Sequence, residues 1–316
     1  MPVPVDAKIF VAGHRGMVGS AIIRLLEAER FSNIVTRSSK ELDLRDPAAV
    51  DAFFETEKPD YVFLAAAKVG GILANSTYPS DFLLDNLRIQ NSVIESARVH
   101  GAKKLMFLGS SCIYPRDAEQ PIAPSALLTG PLEKTNEAYA LAKICGIKLC
   151  QAMRKQHGFD AISAMPTNLY GPGDNYRPEN SHVLPALVRK FVEAEESGAS
   201  SVSVWGTGGA RRDFLHVDDL ARACLLLMDV YSGEDPVNVG SRSDVTIAEL
   251  VEVVRGAAGY EGAVVWDSSK PDGTPKKLMD TSFVRSLGWR ETVAIGDGVR
   301  EVVAGFRRRD GARRET

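Results

Sequence analysis

A glycine-rich loop near the N-terminus lies between an apolar run and a stretch with helical spacing. The apolar run, residues 8–12, indicates a buried strand, and residues 20–26 carry apolar side chains at helical intervals. The residues between them are Gly13, His14, Arg15, Gly16, Met17, Val18 and Gly19. The three glycines permit a tight turn and the close approach of a pyrophosphate to a helix N-terminus. A strand before this loop and a helix after it favour a dinucleotide-binding unit over a plain glycine-rich turn.

Strand-like and helix-like segments alternate through the first half of the chain. Apolar runs predict strands at residues 33–36, 61–64, 104–108 and 160–164. Helical patterns occupy residues 47–57, 79–99 and 133–157. This alternation predicts a Rossmann-type α/β fold, a doubly wound parallel sheet with helices on both faces. Ligands of such folds bind at the carboxyl ends of the strands, so Gly13, Ala65, Gly109 and Pro166 are expected to border one crevice.

The pattern changes after Pro166. Helices are predicted at residues 183–196, 246–257 and 295–306, and residues 214–219 lead into a further helix that ends at Met228; a strand is predicted at 202–205. We expect residues 1–172 to form a cofactor-binding domain to which residues 214–240 return. Residues 173–213 and 241–316 are then expected to form a smaller C-terminal α/β domain that binds substrate.

Charge and cysteine content narrow the class of partner. The formal net charge of the 316 residues is −3, so no global basic field suggests nucleic acid or a membrane surface. No run approaches about 18 consecutive apolar residues, and the N-terminus lacks a secretory pattern. The four cysteines, at positions 112, 145, 150 and 224, form no CxxC pair of the kind that binds metal. We expect a cytoplasmic protein with reduced thiols and no metal.

The helical stretch 138–150 carries apolar residues in nearly every direction around its axis. Such a helix is buried on two sides, and one side is the sheet. The other side predicts a homodimer that pairs through this helix and the helix at 79–99. Burial by the C-terminal domain is the alternative.

Tyr139 and Lys143 are four residues apart and share one face of a predicted helix. A neighbouring ammonium favours the phenolate and lowers the pKa of a tyrosine, which is about 10 in water. Ser110 follows a predicted strand and can hydrogen-bond the same substrate oxygen. These residues can together protonate a carbonyl that receives hydride. A lysine that extends past a half-buried tyrosine is the structural alternative.

The end of the second strand indicates which nicotinamide cofactor the chain prefers. Sites for NAD place an acid near this position to bind the ribose 2′-hydroxyl. Residues 36–39 contain no acid, whereas Arg15 and Arg37 can meet a 2′-phosphate. The sequence therefore predicts NADPH/NADP+ as cofactor.

Several runs together resemble the extended short-chain dehydrogenase/reductase family and, more closely, its GDP-L-fucose synthases. They are residues 13–22, 108–115, 165–172, 180–183, 214–219 and 270–277, and the similarity extends over roughly residues 8 to 290. The pair His14-Arg15 and the run Ser110-Ser111-Cys112 distinguish this group from other nucleotide-sugar epimerases.

The resemblance implies an enzyme that inverts carbons 3 and 5 of GDP-4-dehydro-6-deoxy-α-D-mannose and then reduces carbon 4 with NADPH, giving GDP-β-L-fucose. Ser110, Tyr139 and Lys143 would serve the reduction, and Cys112 and His182 the inversions. The 4-carbonyl acidifies the protons on both flanking carbons, and a thiolate and an imidazole are suitable proton-transfer groups near pH 7. The alternatives are a packed core thiol for Cys112 and a polar loop residue for His182.

The resemblance also assigns binding residues. Besides the glycine loop, the cofactor set comprises Arg37, Ser39, Asp43, Leu44, Leu108, Gly109, Ser110, Ser111, Tyr139, Lys143, Pro166, Thr167, Asn168, Leu169 and His182. The GDP-sugar set comprises Lys190, Trp205, Arg212 and Asp272. Arg212 can clamp a diphosphate and Trp205 can stack on a ring. Some members carry an arginine in place of Ser39, so Arg37 or Lys40 would share the 2′-phosphate contact with Arg15.

Two rival functions remain open at this point. Another NADP-dependent nucleotide-sugar 4-reductase or 4-epimerase would share the cofactor domain, but a simple 4-epimerase has no use for Cys112 and His182 as a proton-transfer pair. A non-catalytic NADP-binding sensor would not need Tyr139 and Lys143, and both are present.

Overall fold

The computed structural model describes residues 2–178, 181–270 and 272–314. Asn180 and Pro271, which belong to two of the motifs that carry the resemblance, lie outside the described residues. No helix within the described part of the chain is long and apolar enough to cross a membrane.

The first half of the chain alternates strictly between strands and helices up to β3. The strands are β1 (Ile9–Ala12), β2 (Ile34–Val35), β3 (Tyr61–Leu64), β4 (Lys104–Leu108) and β5 (Ala161–Pro166). The helices are α1 (Met17–Ala28), α2 (Pro47–Glu57), α3 (Ile72–Thr77), α4 (Pro79–Val99) and α5 (Glu137–His157). Residues 134–136 form a 3-10 turn in which the Glu133 side chain accepts a hydrogen bond from Thr135 N at 3.2 Å. The helix predicted from residue 133 therefore begins only at Glu137.

The second half contains shorter elements. Its strands are β6 (Asn168–Tyr170), β7 (Ser201–Trp205), β8 (Arg211–Arg212), β9 (Phe214–His216), β10 (Val237–Val239), β11 (Val245–Thr246), β12 (Ala263–Asp267) and β13 (Lys276–Lys277). Its helices are α6 (Val183–Ser197), α7 (Val217–Val230), α8 (Ile247–Ala258), α9 (Ser282–Ser286) and α10 (Ile295–Arg314).

A six-stranded parallel sheet in the order β10-β5-β4-β3-β1-β2 organises the molecule. The strands are buried on both faces, as expected when helices cover a parallel sheet. One face packs on α1 and α7 and the other on α2, α4 and α5, which gives two separate hydrophobic cores. This arrangement confirms the predicted Rossmann-type fold. β10 pairs with β5, so the chain returns to the sheet after α7.

A third hydrophobic core lies outside the main sheet, between α6, α8, α10 and the pair β7-β12. A separate three-stranded sheet, β11-β8-β13, lies beside it. Within that sheet Lys277 of β13 is opposite Arg212 of β8. The segment after β13 is tied to the loop after β4, because Ile122 N donates to Leu278 O at 2.8 Å. These contacts hold parts of the C-terminal half over the carboxyl ends of β4 and β5.

Candidate active site

The glycine loop is packed too tightly to accept side chains at two of its glycines. A Cβ on Gly13, whose φ is +85°, would lie 2.7 Å from Ala66 Cα, just beyond β3. A Cβ on Gly19 would lie 2.2 Å from Gly13 O. Helix α1 begins after Gly16, which provides no side-chain cap. The N-terminus of α1 is therefore uncapped, and the loop leaves the space that side chains at these glycines would fill. Both features fit the binding of a dinucleotide pyrophosphate.

Arg37 follows β2 and its guanidinium is fixed by three neighbours. It donates to Thr36 O at 2.8 Å, pairs with the Glu57 carboxylate and lies 5.3 Å above the Phe53 ring. The orientation of Arg37 is therefore set before a ligand arrives, whereas Arg15 is exposed on the glycine loop.

Four other residues predicted to lie near the adenosine part of the cofactor differ in how free they are to bind a ligand. Ser39 and Lys40 are exposed in the turn after Arg37, and Leu44 is half-buried against the α2 side of the core. The Asp43 carboxylate accepts from Nε and Nη2 of Arg45 at 2.9 and 2.8 Å, and this pairing lowers its pKa to about 2. Asp43 therefore presents to a ligand only the lone pairs that Arg45 leaves free.

The end of β4 and helix α5 bring the predicted reductase residues together. Ser110 precedes a 3-10 turn, Ser111–Ile113, and its hydroxyl accepts weakly from Cys112 N at 3.4 Å. Lys143 is 4% exposed and its Nζ donates to Leu108 O at 2.7 Å. The Lys143 ammonium also lies 5.8 Å from the centre of the Tyr139 ring. Ser110, Cys112, Tyr139 and Lys143 thus form one cluster, next to Leu108, Gly109 and Ser111.

Burial decides the protonation of this cluster. It lowers the pKa of Lys143 to about 8. It also raises the pKa of Tyr139, an effect that a neighbouring thiolate at Cys112 would increase and the Ser110 hydroxyl partly offsets. The expectation of a lowered pKa for Tyr139 is therefore wrong for the cofactor-free protein, because burial disfavours the charged phenolate. The cluster holds Tyr139 as a neutral phenol, which is the form that can donate a proton.

Cys112 is 5% exposed and lies among cationic side chains. Burial raises the pKa of its thiol, while Lys277, Ser110 and Lys143 counteract part of that rise. The sequence reasoning did not single out Lys277, although it belongs to the run 270–277. Lys277 comes near Cys112 because the segments 276–280 and 120–122 contact each other. These segments are far apart in the sequence, so no local sequence pattern predicts the contact.

His182 is the residue immediately before α6, and it is exposed to solvent. Although the residue is exposed overall, desolvation of the imidazole by the surrounding protein lowers its pKa and favours the neutral ring. Among the described residues, no hydrogen bond or ion pair joins His182 to Cys112 or to the rest of the cluster. The structure therefore places Cys112 with the reductase residues, and within the described residues it shows no hydrogen bond or ion pair between that cluster and His182.

The predicted segment Pro166, Thr167, Asn168 and Leu169 crosses from β5 to β6 at the carboxyl edge of the sheet. Thr167 Oγ1 and Asn168 Nδ2 both donate to Asp213 O, at 3.1 and 2.9 Å. Asp213 is fully buried, and burial raises the pKa of its carboxyl to about 7. The segment is thus held rigidly beside the end of β4.

The predicted nucleotide residues lie at the other end of the candidate site. Trp205 is 61% exposed, and the ammonium groups of Lys190 and Lys270 lie 5.9 and 5.6 Å from its ring. Lys190 also donates to Ser203 O at 2.9 Å. Exposed tryptophan beside two cations offers a stacking surface for a base and charge for a phosphate. Lys270 is a further residue that the sequence reasoning did not assign.

Arg212 and Asp272 are held by the backbone around them. Arg212 donates to Arg211 O at 2.8 Å and to Asp272 O at 3.4 Å. The Asp272 carboxylate accepts from the amide and the hydroxyl of Thr207, both at 2.7 Å. Asp272 therefore fixes the turn that follows Trp205, and Arg212 keeps further N–H donors for a ligand. Within the described residues no group of His, Cys, Asp and Glu is arranged to hold a metal ion.

Comparison with known proteins relates this arrangement to a family. Residues 9–240 match the model of the NAD dependent epimerase/dehydratase family. The chain is 63% identical to GDP-L-fucose synthase 1 of Arabidopsis thaliana over 93% of its length and 91% of that protein. It is 51% identical to the GDP-L-fucose synthase of Escherichia coli K12, with 92% and 94% covered.

Among solved structures, a GDP-L-fucose synthetase from Naegleria fowleri bound to NADP superposes with a TM-score of 0.90 at 30% identity. The alignment covers 98% of this chain and 97% of that one. By sequence and by structure, the chain belongs to the NAD dependent epimerase/dehydratase family and, within it, to the GDP-L-fucose synthases.

Proposed function

We propose that the chain is a bifunctional 3,5-epimerase and 4-reductase that converts GDP-4-dehydro-6-deoxy-α-D-mannose to GDP-β-L-fucose with NADPH. The observation that carries this proposal is the position of Cys112 beside Ser110, Tyr139 and Lys143 at the end of one strand. A reductase alone needs only the last three of these residues. High identity to GDP-L-fucose synthases over nearly the whole chain supports the same conclusion.

NADPH fits the crevice at the carboxyl ends of β1, β2 and β4. The pyrophosphate would lie against the N-terminus of α1, where Gly13 and Gly19 leave room. Arg15 and Arg37 would bind the 2′-phosphate, and the nicotinamide ring would lie near residues 166–169 and Lys143. When bound there, NADPH supplies the hydride for the reduction at carbon 4.

In the reduction, Tyr139 donates the proton that the carbonyl oxygen needs as negative charge develops on it. Ser110 donates a hydrogen bond to the same oxygen and orients it. The Lys143 ammonium, held by Leu108 O, stabilises the tyrosinate that remains after the transfer. Tyr139 must carry its proton at the start of this step, and its raised pKa keeps it a neutral phenol.

In the inversions, Cys112 takes a proton from a carbon flanking the carbonyl and His182 returns one to the opposite face. Cys112 must first lose its thiol proton, and the ammonium groups of Lys277 and Lys143 favour the thiolate. His182 must pick up a proton, which its lowered pKa allows only transiently at neutral pH. For this transfer the sugar ring would lie between Cys112 and His182.

The GDP part of the substrate would extend from this cluster towards Trp205. Arg212 and Lys190 would bind the diphosphate, and Trp205 would contact the base, on a turn that Asp272 holds. We assign this binding role to residues 173–213 and 241–316, and cofactor binding to residues 1–172 with 214–240, whose strand β10 completes the sheet.

We further propose that the protein works in the cytoplasm as a homodimer that pairs through α4 and α5. Leu84 and Val99 on α4 and Leu141 on α5 are exposed, although these helices also pack on each other through Gln90 Nε2, which donates to Ala142 O at 2.8 Å. The described cysteines are free, as in a reducing compartment. Light scattering of Leu141→Glu against wild type tests the dimer: a variant that stays dimeric would contradict this interface.

Product analysis tests the proposed function. The purified protein is incubated with NADPH and GDP-4-dehydro-6-deoxy-mannose, and the sugar is identified by nuclear magnetic resonance. We expect GDP-β-L-fucose from the wild type and, in the same incubation time, at most a trace from Tyr139→Phe. A GDP-6-deoxyhexose with the starting configuration at carbons 3 and 5 would instead identify a simple 4-reductase.

A further inference from the structure

An acidic side chain lies beside the arginines of the proposed 2′-phosphate site. Glu41 closes the turn that follows β2 and Arg37, and its Oε2 accepts from Ser38 N at 2.7 Å and from Ser38 Oγ at 2.6 Å. Ser38 is 7% exposed, and its carbonyl accepts in return from the amides of Glu41 and Leu42. These four hydrogen bonds fix the Glu41 carboxylate relative to the end of β2.

Two positive charges act on this carboxylate. The hydrogen bonds from Ser38 lower the pKa of Glu41 most, and the charges of Arg15 and Arg37 lower it further. Arg37 is itself held by Glu57 and Thr36 O, and Ser38, which binds the Glu41 carboxylate, is the next residue along the chain. One ionised carboxylate and two guanidinium groups therefore share the region between the glycine loop and the end of β2.

A carboxylate at this end of a Rossmann fold has opposite effects on the two nicotinamide cofactors. A ribose 2′-hydroxyl can donate a hydrogen bond to it, as in sites for NAD. A 2′-phosphate carries between one and two negative charges near neutral pH and is repelled by it. The arginines attract the phosphate, and Glu41 opposes part of that attraction.

We propose that Glu41 limits the selectivity of this site for a 2′-phosphate over a 2′-hydroxyl. Arg15, Arg37 and Glu41 together then set the ratio of the affinities for NADPH and NADH. This inference rests on the proposed function, since it needs the cofactor to lie against the glycine loop. It revises the expectation drawn from residues 36–39 alone, because the acid Glu41, six residues after the end of β2 at Val35, turns back to bind Ser38.

Glu41→Gln tests the proposal, because the amide keeps an oxygen that can accept from Ser38 and removes the charge. Binding of NADP+, NAD+, adenosine 2′,5′-bisphosphate and 5′-AMP is measured by calorimetry. We expect roughly two- to tenfold tighter binding of NADP+ and of the bisphosphate, with NAD+ and 5′-AMP unchanged or weaker. The gain for the 2′-phosphorylated ligands should shrink as salt is raised from 50 to 500 mM.

Two further variants separate charge from shape. Glu41→Asp keeps the charge and should retain the wild-type ratio of NADP+ to NAD+ affinity. Glu55→Gln, on the exposed side of α2, makes the same charge change at a carboxylate that forms no ion pair with Arg15 or Arg37, and it should alter neither affinity. A ratio that is unchanged in Glu41→Gln, or that changes equally in Glu41→Asp, would overturn the role of the Glu41 charge.

The wild-type binding data separate failure of the proposed role of Glu41 from failure of the proposed function. Wild-type protein that binds NADP+ while Glu41→Gln leaves its selectivity unchanged refutes this inference alone. Wild-type protein that binds none of the four ligands refutes the proposed function and this inference together.

Discussion

Replacing Lys143 by methionine should make the cofactor-free protein more stable at pH 7, although this residue is proposed to be essential for reduction. Lys143 is buried, and burial lowers the pKa of its ammonium from 10.5 to about 8. At about 1.36 kcal/mol per pH unit, this difference corresponds to about 3 kcal/mol of destabilisation while the side chain is charged in both states. Methionine has a similar volume and carries no charge to desolvate.

The lost hydrogen bond to Leu108 O offsets part of this gain, since a bond from a charged donor contributes about 1.5–3 kcal/mol. We therefore expect Lys143→Met to be more stable by up to about 2 kcal/mol at pH 7. The destabilisation by Lys143 has its full value below pH 8, where the side chain is charged in both the folded and the unfolded protein. It declines between pH 8 and 10.5, where the unfolded chain still binds a proton that the folded protein has released, and it is absent above that range.

Urea unfolding of wild type and Lys143→Met at pH 7 and at pH 10 measures both effects. The difference in the free energy of unfolding between Lys143→Met and wild type should be smaller at pH 10 than at pH 7. Lys148→Met, an exposed replacement on the same helix, should show no such pH dependence. A Lys143→Met protein that is less stable than wild type at pH 7, with a difference that pH does not alter, would refute the desolvation argument.

Three other substitutions test the site. Tyr139→Phe should slow turnover by about 100- to 10,000-fold while NADPH binding is retained, because only the proton donor is lost; wild-type turnover would contradict the reductase assignment. Gly19→Ala should lower the melting temperature and weaken NADPH binding, because its Cβ would lie 2.2 Å from Gly13 O, whereas Gly256→Ala in α8 meets no atom within 4 Å and should be neutral or stabilising. Arg15→Ala should narrow the preference for NADPH over NADH in kcat/KM, and an unchanged preference would remove Arg15 from the phosphate site.

The sequence predicted the elements that have a clear periodicity and flanking signals. The predicted bounds of α2, α4, β3 and β4 coincide with those in the structure. Proline at the first turn of both helices marks their starts, and for α2 the Asp46 side chain also accepts from Ala48 N and Ala49 N. The parallel sheet followed from the alternation of these segments, since strands that run the same way need helical crossovers.

Contacts between distant segments could not be predicted in this way. β8 and β13 are two residues long, so they have no periodicity that identifies them, yet their pairing places Lys277 next to Arg212. The ion pair of Arg37 with Glu57 joins the turn after β2 to α2, and the hydrogen bonds of Glu41 to Ser38 depend on the geometry of that turn. The shift of the pKa of Tyr139 was predicted with the wrong sign because its burial was not known.

Exchange of hydrogen at carbons 3 and 5 tests the central claim, that the site that reduces carbon 4 also inverts carbons 3 and 5, with Cys112 and His182 as the proton-transfer pair of the inversions. The reaction is run in deuterated water with wild type, Cys112→Ser, His182→Asn and, as a control, Cys145→Ser, whose thiol is exposed on α5. Wild type and Cys145→Ser should place deuterium at both carbons of GDP-fucose. Cys112→Ser and His182→Asn should lose most of this exchange while they still bind NADPH. Exchange at the wild-type rate at both carbons in Cys112→Ser would contradict the account and would leave Cys112 as a packed core thiol.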